Sequence, residues 1–303
     1  MERRRQHVPG AVYQDKQLVI VRVPKPSGLR FVGAIDATNV GPLAEVLAQA
    51  LDGRSEAGVH LDLSRLDFID ASGIRTLVSA AEKADGTHRL ILHGLQPLMR
   101  KVMELVGWVD LPTLYFADTG FPDDHDISQL DQSIIDKGGR SHHFSHEAST
   151  ATSTDGNRTD GSAPADAPLP PPPRQRYVLP LTIHRLHAMR AVVAAEAAKA
   201  GLAKERASNL VIAANEVATN SLRQGRDTAV LRIWKEDEAL VCEVSDRGQL
   251  VSPLADRQEP APDLGAGRGL WLANHLCDLM QLRSEPDGTT VRLRMWLKQP
   301  VRN

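Results

Sequence analysis

Glu216 and Asn220 stand one helical turn apart in residues 210–225, so a carboxylate and a carboxamide share one face of the helix that the pattern predicts. Ala207, Leu210, Val211, Ala214, Val217, Ala218 and Leu222 recur on the opposite face at the spacing of a core-facing stripe. A Glu and an Asn so placed can hold a hydrated Mg²⁺ and its nucleotide phosphates, because Mg²⁺ takes few protein oxygens and keeps several waters. The same pair also suits a solvated helix face, and the motifs downstream decide between the two.

Residues 241–248 alternate like a short strand that runs into Asp246 and Gly248. A carboxylate at a strand end can accept a hydrogen bond from an amine such as the adenine exocyclic nitrogen, and the glycine lets a flat ring approach the backbone. A hairpin turn is the plainer reading. Gly265, Gly267 and Gly269 precede an apolar helical pattern of Leu270, Leu272, Ala273, Leu276 and Leu279. A glycine loop feeding a helix N-terminus exposes unpaired N–H groups that suit phosphate; an ordinary connection is the alternative. Gly288, Thr289 and Thr290 read as a closing hairpin.

A second constellation lies far upstream: Asp62 and Ser64, then Asp70, Ala71, Ser72 and Gly73. Here a strand ends, the chain turns, and the later four residues open a helix. Asp and Ser are both favoured N-caps. Neither has a Glu or Gln three residues on, so no reciprocal capping box forms. Ser72 is the only hydroxyl of that turn, since Ala71 precedes it. A phosphate on Ser72 would be tolerated by the helix dipole, and its charge beside Asp70 would repel an acidic partner surface.

The elements that position these residues fall into two halves. Strands are expected at residues 18–23, 29–35, 59–63, 89–93 and 113–116, and helices at 40–51, 72–84 and 97–106. That alternation implies an α/β layered domain. Residues 119–176 are rich in Ser, Thr, Asp and Gly, end in four consecutive prolines from Pro170 to Pro173, and carry few large apolar side chains. They read as a flexible linker with a stiffer polyproline end, in which residues 130–135 could form a brief helical turn. His142, His143 and His146 have no Cys or carboxylate framework at a metal-ligand spacing and read as solvated linker histidines.

The 303 residues suit two ordinary domains, and 42% hydrophobic content is enough for packed cores. A net charge of −2, without a basic stripe, argues against nucleic acid and anionic membrane. Basic residues at the start are not followed by an apolar run, and no run is long enough to span a bilayer. Cys242 and Cys277, set in an apolar strand and an apolar helix, read as buried free thiols, and a cytoplasmic protein is expected.

The order Glu216/Asn220, Asp246/Gly248, Gly265/Gly267/Gly269, Gly288/Thr289 resembles the GHKL ATPases, and within them the anti-sigma-factor serine kinases of bacterial partner switching. No Walker A loop occurs, and the glycine loop follows a long acidic, proline-containing stretch where a Rossmann motif would follow a strand. Residues 11–118 resemble the STAS-domain anti-sigma-factor antagonists through Asp62, Ser64, Asp70, Ser72 and Gly73. The fold these resemblances imply is α/β throughout: a STAS-like domain over residues 1–118, a linker over 119–176, and a GHKL (Bergerat-type) α/β sandwich over 177–303. They imply ATP and Mg²⁺ as cofactors and Ser72 as phosphoacceptor. They assign Glu216 as general base and Asn220 as Mg²⁺ ligand. Asp246, Gly248 and Thr289 would form the adenine subsite, with Gly265, Gly267 and Gly269 as the hinge and phosphate loop. The partners implied are a sigma factor, STAS-domain antagonists, or both, with a homodimer also open. Three readings follow: a protein-serine kinase carrying its own STAS module, a non-catalytic nucleotide-binding module whose STAS domain competes for partners, or a docking protein. The linker also permits the STAS domain to fold back onto the ATPase domain of its own chain.

Overall fold

The computed structural model describes residue 8 and residues 10–52, 58–84, 89–105, 108–109, 111–117, 120–121, 169–174, 176–224, 228–248 and 268–298, with only the backbone at 105, 224 and 268. The described residues up to 121 and those from 171 onward form one compact unit. Most of the expected linker, including residues 130–135 and the three linker histidines, lies outside the described residues.

The first sheet runs in the order β1(Ala11–Gln14), β2(Leu18–Val23), β3(Gly28–Ile35), β4(Val59–Ile69), β5(Leu90–His93), β6(Leu114–Ala117). The first two pairings are antiparallel and the remaining three parallel. Helices α1(Val40–Asp52), α2(Ala71–Lys83) and α3(Pro97–Leu105) supply the crossovers that parallel strands require. β1 was not among the expected strands; four residues with one exposed and three half-buried positions give little periodic signal.

β4 is longer than its expected range of 59–63 and continues to Ile69. The polar residues that seemed to end it sit at irregularities: Arg30 pairs with Asp62 but Val32 with Arg65, and Gly33 pairs with Leu66 but Ala34 with Phe68. At each step β4 carries one residue more than β3, so two bulges absorb the break in alternation. Asp62 is not a surface turn residue. Its Oδ2 accepts from Arg30 Nε at 2.6 Å in a buried ion pair, and its Oδ1 accepts from the Ser64 N–H and Oγ. Asp62 and Ser64 are thus structural.

The second sheet is antiparallel throughout, in the order β10(Leu279–Glu285), β11(Gly288–Trp296), β9(Ala239–Asp246), β8(Ala229–Lys235), β7(Tyr177–Leu181). A 3-10 turn, Ile183–Arg185, leads into α4(Leu186–Ala200), followed by α5(Lys204–Gln224) and α6(Arg268–Leu276). α5 lies between α4 and α6 and packs on β8, β9 and β11. Leu210, Ala213, Ala214, Val217 and Ala218 of α5 are fully buried, as are Leu231, Val244 and Leu293 of the sheet. The expected helix through Leu279 stops earlier: α6 ends at Leu276, Cys277 sits in the following turn, and Leu279 opens β10 as a largely exposed residue. Cys242 is buried in β9, and both thiols are free.

Gly73 is fixed by packing rather than by its backbone angles. A Cβ there would lie 2.5 Å from Ile35 Cγ2 and 2.7 Å from Ile69 Cγ1, so only a glycine lets α2 sit against the ends of β3 and β4. Gly73→Ala is expected to cost about 1–3 kcal/mol by overpacking, read from urea denaturation of the full chain.

Candidate functional site

Two loops leave the carboxyl ends of β3 and β4 side by side. The Asp70 N–H donates to the Ile35 carbonyl at 3.1 Å, and the Ala37 N–H donates to Asp70 Oδ2 at 3.1 Å. Asp70 is the N-cap of α2, with φ −90° and ψ 174°, and its Oδ1 accepts from the Gly73 N–H at 2.8 Å. The same Oδ1 accepts from Ser72 Oγ at 2.6 Å. Asp36, in the β3–α1 loop, accepts from the Thr38 N–H and Oγ1 through Oδ1.

Helices α4 and α5 of the second sheet's layer meet these loops. Glu216 Oε1 accepts the Ala71 N–H at 2.9 Å. That N–H belongs to the first turn of α2, where no partner exists within the helix. Arg190 of α4 donates from Nη1 to Asp36 Oδ2 at 2.8 Å and to Asn215 Oδ1 at 3.1 Å, and from Nη2 to Gln17 Oε1 at 2.9 Å. Its guanidinium also lies 4.3 Å from the centre of the Phe68 ring. Asn215 reaches Asp70 Oδ2 at 3.5 Å.

Glu216 is only 6% exposed, and a Cβ on Gly269 would lie 2.8 Å from its Oε2. The carboxylate therefore sits between the first turns of α2 and α6. Burial, followed by the charge of Asp70, pushes the Glu216 carboxyl up from 4.5 to about 8; the Ala71 N–H and Arg223 oppose that shift. Asp70 is also raised, first by burial and further by Asp36, against its hydrogen bonds to Ser72 and Gly73 and the charge of Arg223. Two carboxyl groups with elevated proton affinity thus flank the Ser72 loop.

The residues expected to contact adenine assemble at the β9–β11 edge. Asp246 and Thr289 are cross-strand partners. The Gly248 N–H donates to Asp246 Oδ1 at 2.6 Å, and Thr289 Oγ1 donates to the Gly248 carbonyl at 2.8 Å. Gly288 takes φ +146°, and a Cβ there would strike the Asp246 carbonyl at 2.0 Å, which fixes the hairpin against this corner. Asp246 Oδ2 has no hydrogen-bond partner among the described residues, so a carboxylate oxygen remains for a ligand amine. Asn220 is half-buried one turn beyond Glu216, and Gly269 is the second residue of α6. Gly265 and Gly267 lie outside the described residues. Among the described residues no cluster of three His, Cys, Asp or Glu side chains could hold a metal. A hydrated Mg²⁺ held by Asn220 and nucleotide phosphates needs none. The donor set fits an adenine nucleotide.

Arg190, Asp36, Gln17 and Asn215 were not anticipated from the sequence. Asn215 directly precedes Glu216, which places it on another side of α5, and it is completely buried with hydrogen bonds to Arg190, Asp70 and Thr219. On the face that carries the Glu216/Asn220 pair, Glu216 is buried and Asn220 half-buried.

Comparisons with known proteins divide the chain in the same way. Residues 179–295 match the family described as "Histidine kinase-like ATPase domain", and residues 19–113 match "Mlab, STAS domain". BtrV of Bordetella bronchiseptica, named "Putative anti-sigma factor antagonist", is 32% identical over 80 residues, which cover 26% of this chain and 68% of that protein. The crystal structure of the RsbU and RsbW domains of Rv1364c from Mycobacterium tuberculosis aligns at 23% identity and TM-score 0.31, covering 42% of this chain and 34% of that one. The anti-sigma factor antagonist SpoIIAA in its unphosphorylated form aligns at 18% identity and TM-score 0.28, covering 38% of this chain and 96% of that one. Among the described residues no helix is long and apolar enough to cross a membrane.

The raised Glu216 carboxyl makes stability depend on pH with a defined sign. The unfolded chain loses this proton near 4.5 and the folded chain near 8, so the folded state holds more protons in between. Its contribution is fully present below the lower value and is lost as pH rises through the upper one. Urea midpoints of the full chain should fall across that window, and Glu216→Gln should flatten the slope, leaving the share of the likewise raised Asp70.

Proposed function

Because the chain belongs, through its N-terminal domain, to the STAS-domain anti-sigma factor antagonists and carries a histidine kinase-like ATPase domain, we propose that it regulates sigma-factor activity by partner switching. In this reading the C-terminal domain binds Mg-ATP and phosphorylates Ser72. The observation that carries it is the 2.9 Å hydrogen bond from the Ala71 N–H to Glu216, which sets the residue beside Ser72 against the ATPase-side carboxylate. A carboxyl pushed up to about 8 suits the base that the resemblance implies at Glu216. Asp246, Gly248 and Thr289 would hold the adenine, Asn220 would hold Mg²⁺, and the first turn of α6 at Gly269, with Gly265 and Gly267 before it, would receive phosphate. Bound Mg-ATP would supply an activated phosphoryl group. The chain's own residues bring the hydroxyl to it and exclude water from the carboxyl groups.

A second reading has its own support. Glu216 is covered by the STAS loop, and Arg190 is fully engaged with Asp36, Asn215 and Gln17. A STAS domain in this position acts as a competitor in cis, occupying the face that an outside antagonist or sigma factor would need. In that case the nucleotide domain sequesters partners without transferring phosphate.

Incubating the full chain with labelled ATP and Mg²⁺ separates the two. The kinase reading expects label on Ser72 that is lost in both Ser72→Ala and Glu216→Ala. Nucleotide binding with no label on this chain, or on added STAS-domain proteins, would leave the competitor reading alone.

A further inference from the structure

We propose that His60 and His93 form an acid-sensitive clasp, which holds Phe121 on the first sheet while at least one imidazole is neutral and releases it when both are protonated. The clasp lies within the first domain, and it stands whether the kinase or the competitor reading holds.

The strand register brings the parts together. Arg30 of β3 is opposite Asp62 of β4, and Asp62 is opposite His93 of β5, so the three share one face of the sheet. His60, two residues before Asp62, points to the same side. His60 Nδ1 and His93 Nε2 share a hydrogen bond at 2.8 Å, with ring centres 5.1 Å apart, and His93 is buried. Phe121 lies beyond the end of β6 and makes T-shaped contacts with both rings, at 6.3 Å from His60 and 5.1 Å from His93. The Arg30 guanidinium lies 5.3 Å from the centre of the same phenyl ring.

A hydrogen bond between two imidazole nitrogens needs one proton and one lone pair. The neutral pair has both. One added proton leaves the bond in place and gives it a charge. A second leaves two N–H groups and two positive charges facing each other, with no lone pair between them.

The groups around the pair, among the described residues, do not offset that repulsion. Arg30 adds a further positive charge. Asp62 is committed: Oδ2 accepts from Arg30 Nε at 2.6 Å, and Oδ1 accepts from the Ser64 N–H and Oγ. The neighbours in register are uncharged, with Ile91 of β5 beside His60, Ala117 of β6 beside His93 and Val21 of β2 beside Arg30. Tyr115 of β6, opposite Ile91, has the Arg89 guanidinium 5.0 Å from its ring centre. Burial, and then His93, lowers the proton affinity of His60 from its ordinary value of 6.5. The pair's contribution is therefore fully present above that value and is lost as pH falls through the lowered one. Once the rings part, Phe121 loses its seat, and the Arg30–Asp62 ion pair loses the ring that covers it.

Fluorine NMR of the full chain labelled with 4-fluorophenylalanine tests the clasp. Phe121→Leu identifies the Phe121 signal among those of the five phenylalanines. Between about pH 7.5 and about pH 5 that signal should move to its position in the urea-unfolded chain, with a midpoint below about 6.5, and return on neutralisation. The signal of Phe31, fully buried in β3, should stay in place. In His60→Gln the amide can still donate to His93 but takes up no proton, so Phe121 should keep its folded position at both pH values. If the Phe31 signal shows that this variant is unfolded, His60→Asn makes the same comparison. A Phe121 signal that holds its position to about pH 5, or that shifts in the variant as in the unaltered chain, overturns the proposal. A simultaneous shift of Phe31 overturns it as well, since the whole domain then unfolds. So does a shift provoked near neutrality by EDTA, because a metal ion would then be joining the rings in place of a proton.

Discussion

Glu216 is a buried carboxylate on a helix that has no cation in hydrogen-bond contact with it among the described residues, and the site is organised around that constraint. An ionised carboxylate in such a place needs donors or a proton. One oxygen meets the Ala71 N–H from the first turn of α2, and the other lies at the first turn of α6. Both helices point their positive ends at it. A side chain at Gly269 would press on the carboxylate and displace it, and Gly73 is required because α2 reaches this depth only by packing directly on Ile35 and Ile69.

The remaining polar contacts extend this constraint outward. Arg190 is a buried cation with three hydrogen-bonding partners and an aromatic face, so its charge is satisfied only when the loops carrying Gln17 and Asp36 and the end of β4 carrying Phe68 are present. Removing one member of such a pair leaves the other buried and unpaired, typically at a cost of about 3–5 kcal/mol. The contact is thus selective for its partner: a loop without an acid at the place of Asp36 would strand the guanidinium. A phosphate on Ser72 would bring about two negative charges next to Asp70 and Glu216. The unphosphorylated loop fits this surface, and the same crowding of carboxyls gives the phosphorylated loop a reason to leave it.

Much of the fold was legible in the residues because most elements carry a single periodicity. The alternation of strand and helix in the first half, the α5 stripe and the Gly288 hairpin all follow local patterns. β4 was read too short because its bulges break the two-residue alternation, and α6 too long because Leu279 continues the apolar spacing into a strand. Within the site, Glu216, Asp246, Gly248, Thr289 and Ser72 could be named because each belongs to an ordered motif. Arg190 and Asp36 could not, because 154 residues separate them and neither carries a local signal. Long-range polar pairing leaves no periodic trace, and for that reason the contact between the two halves emerged only from the coordinates.

The central claim is that Glu216 meets the acceptor loop of its own chain, and amide hydrogen exchange at Ala71 tests it most directly. As a first-turn amide it has no partner within α2, so protection must come from Glu216. The account predicts that Ala71 is protected in the full chain and exchanges roughly tenfold faster or more in Glu216→Ala. Equal exchange in the two proteins would contradict it.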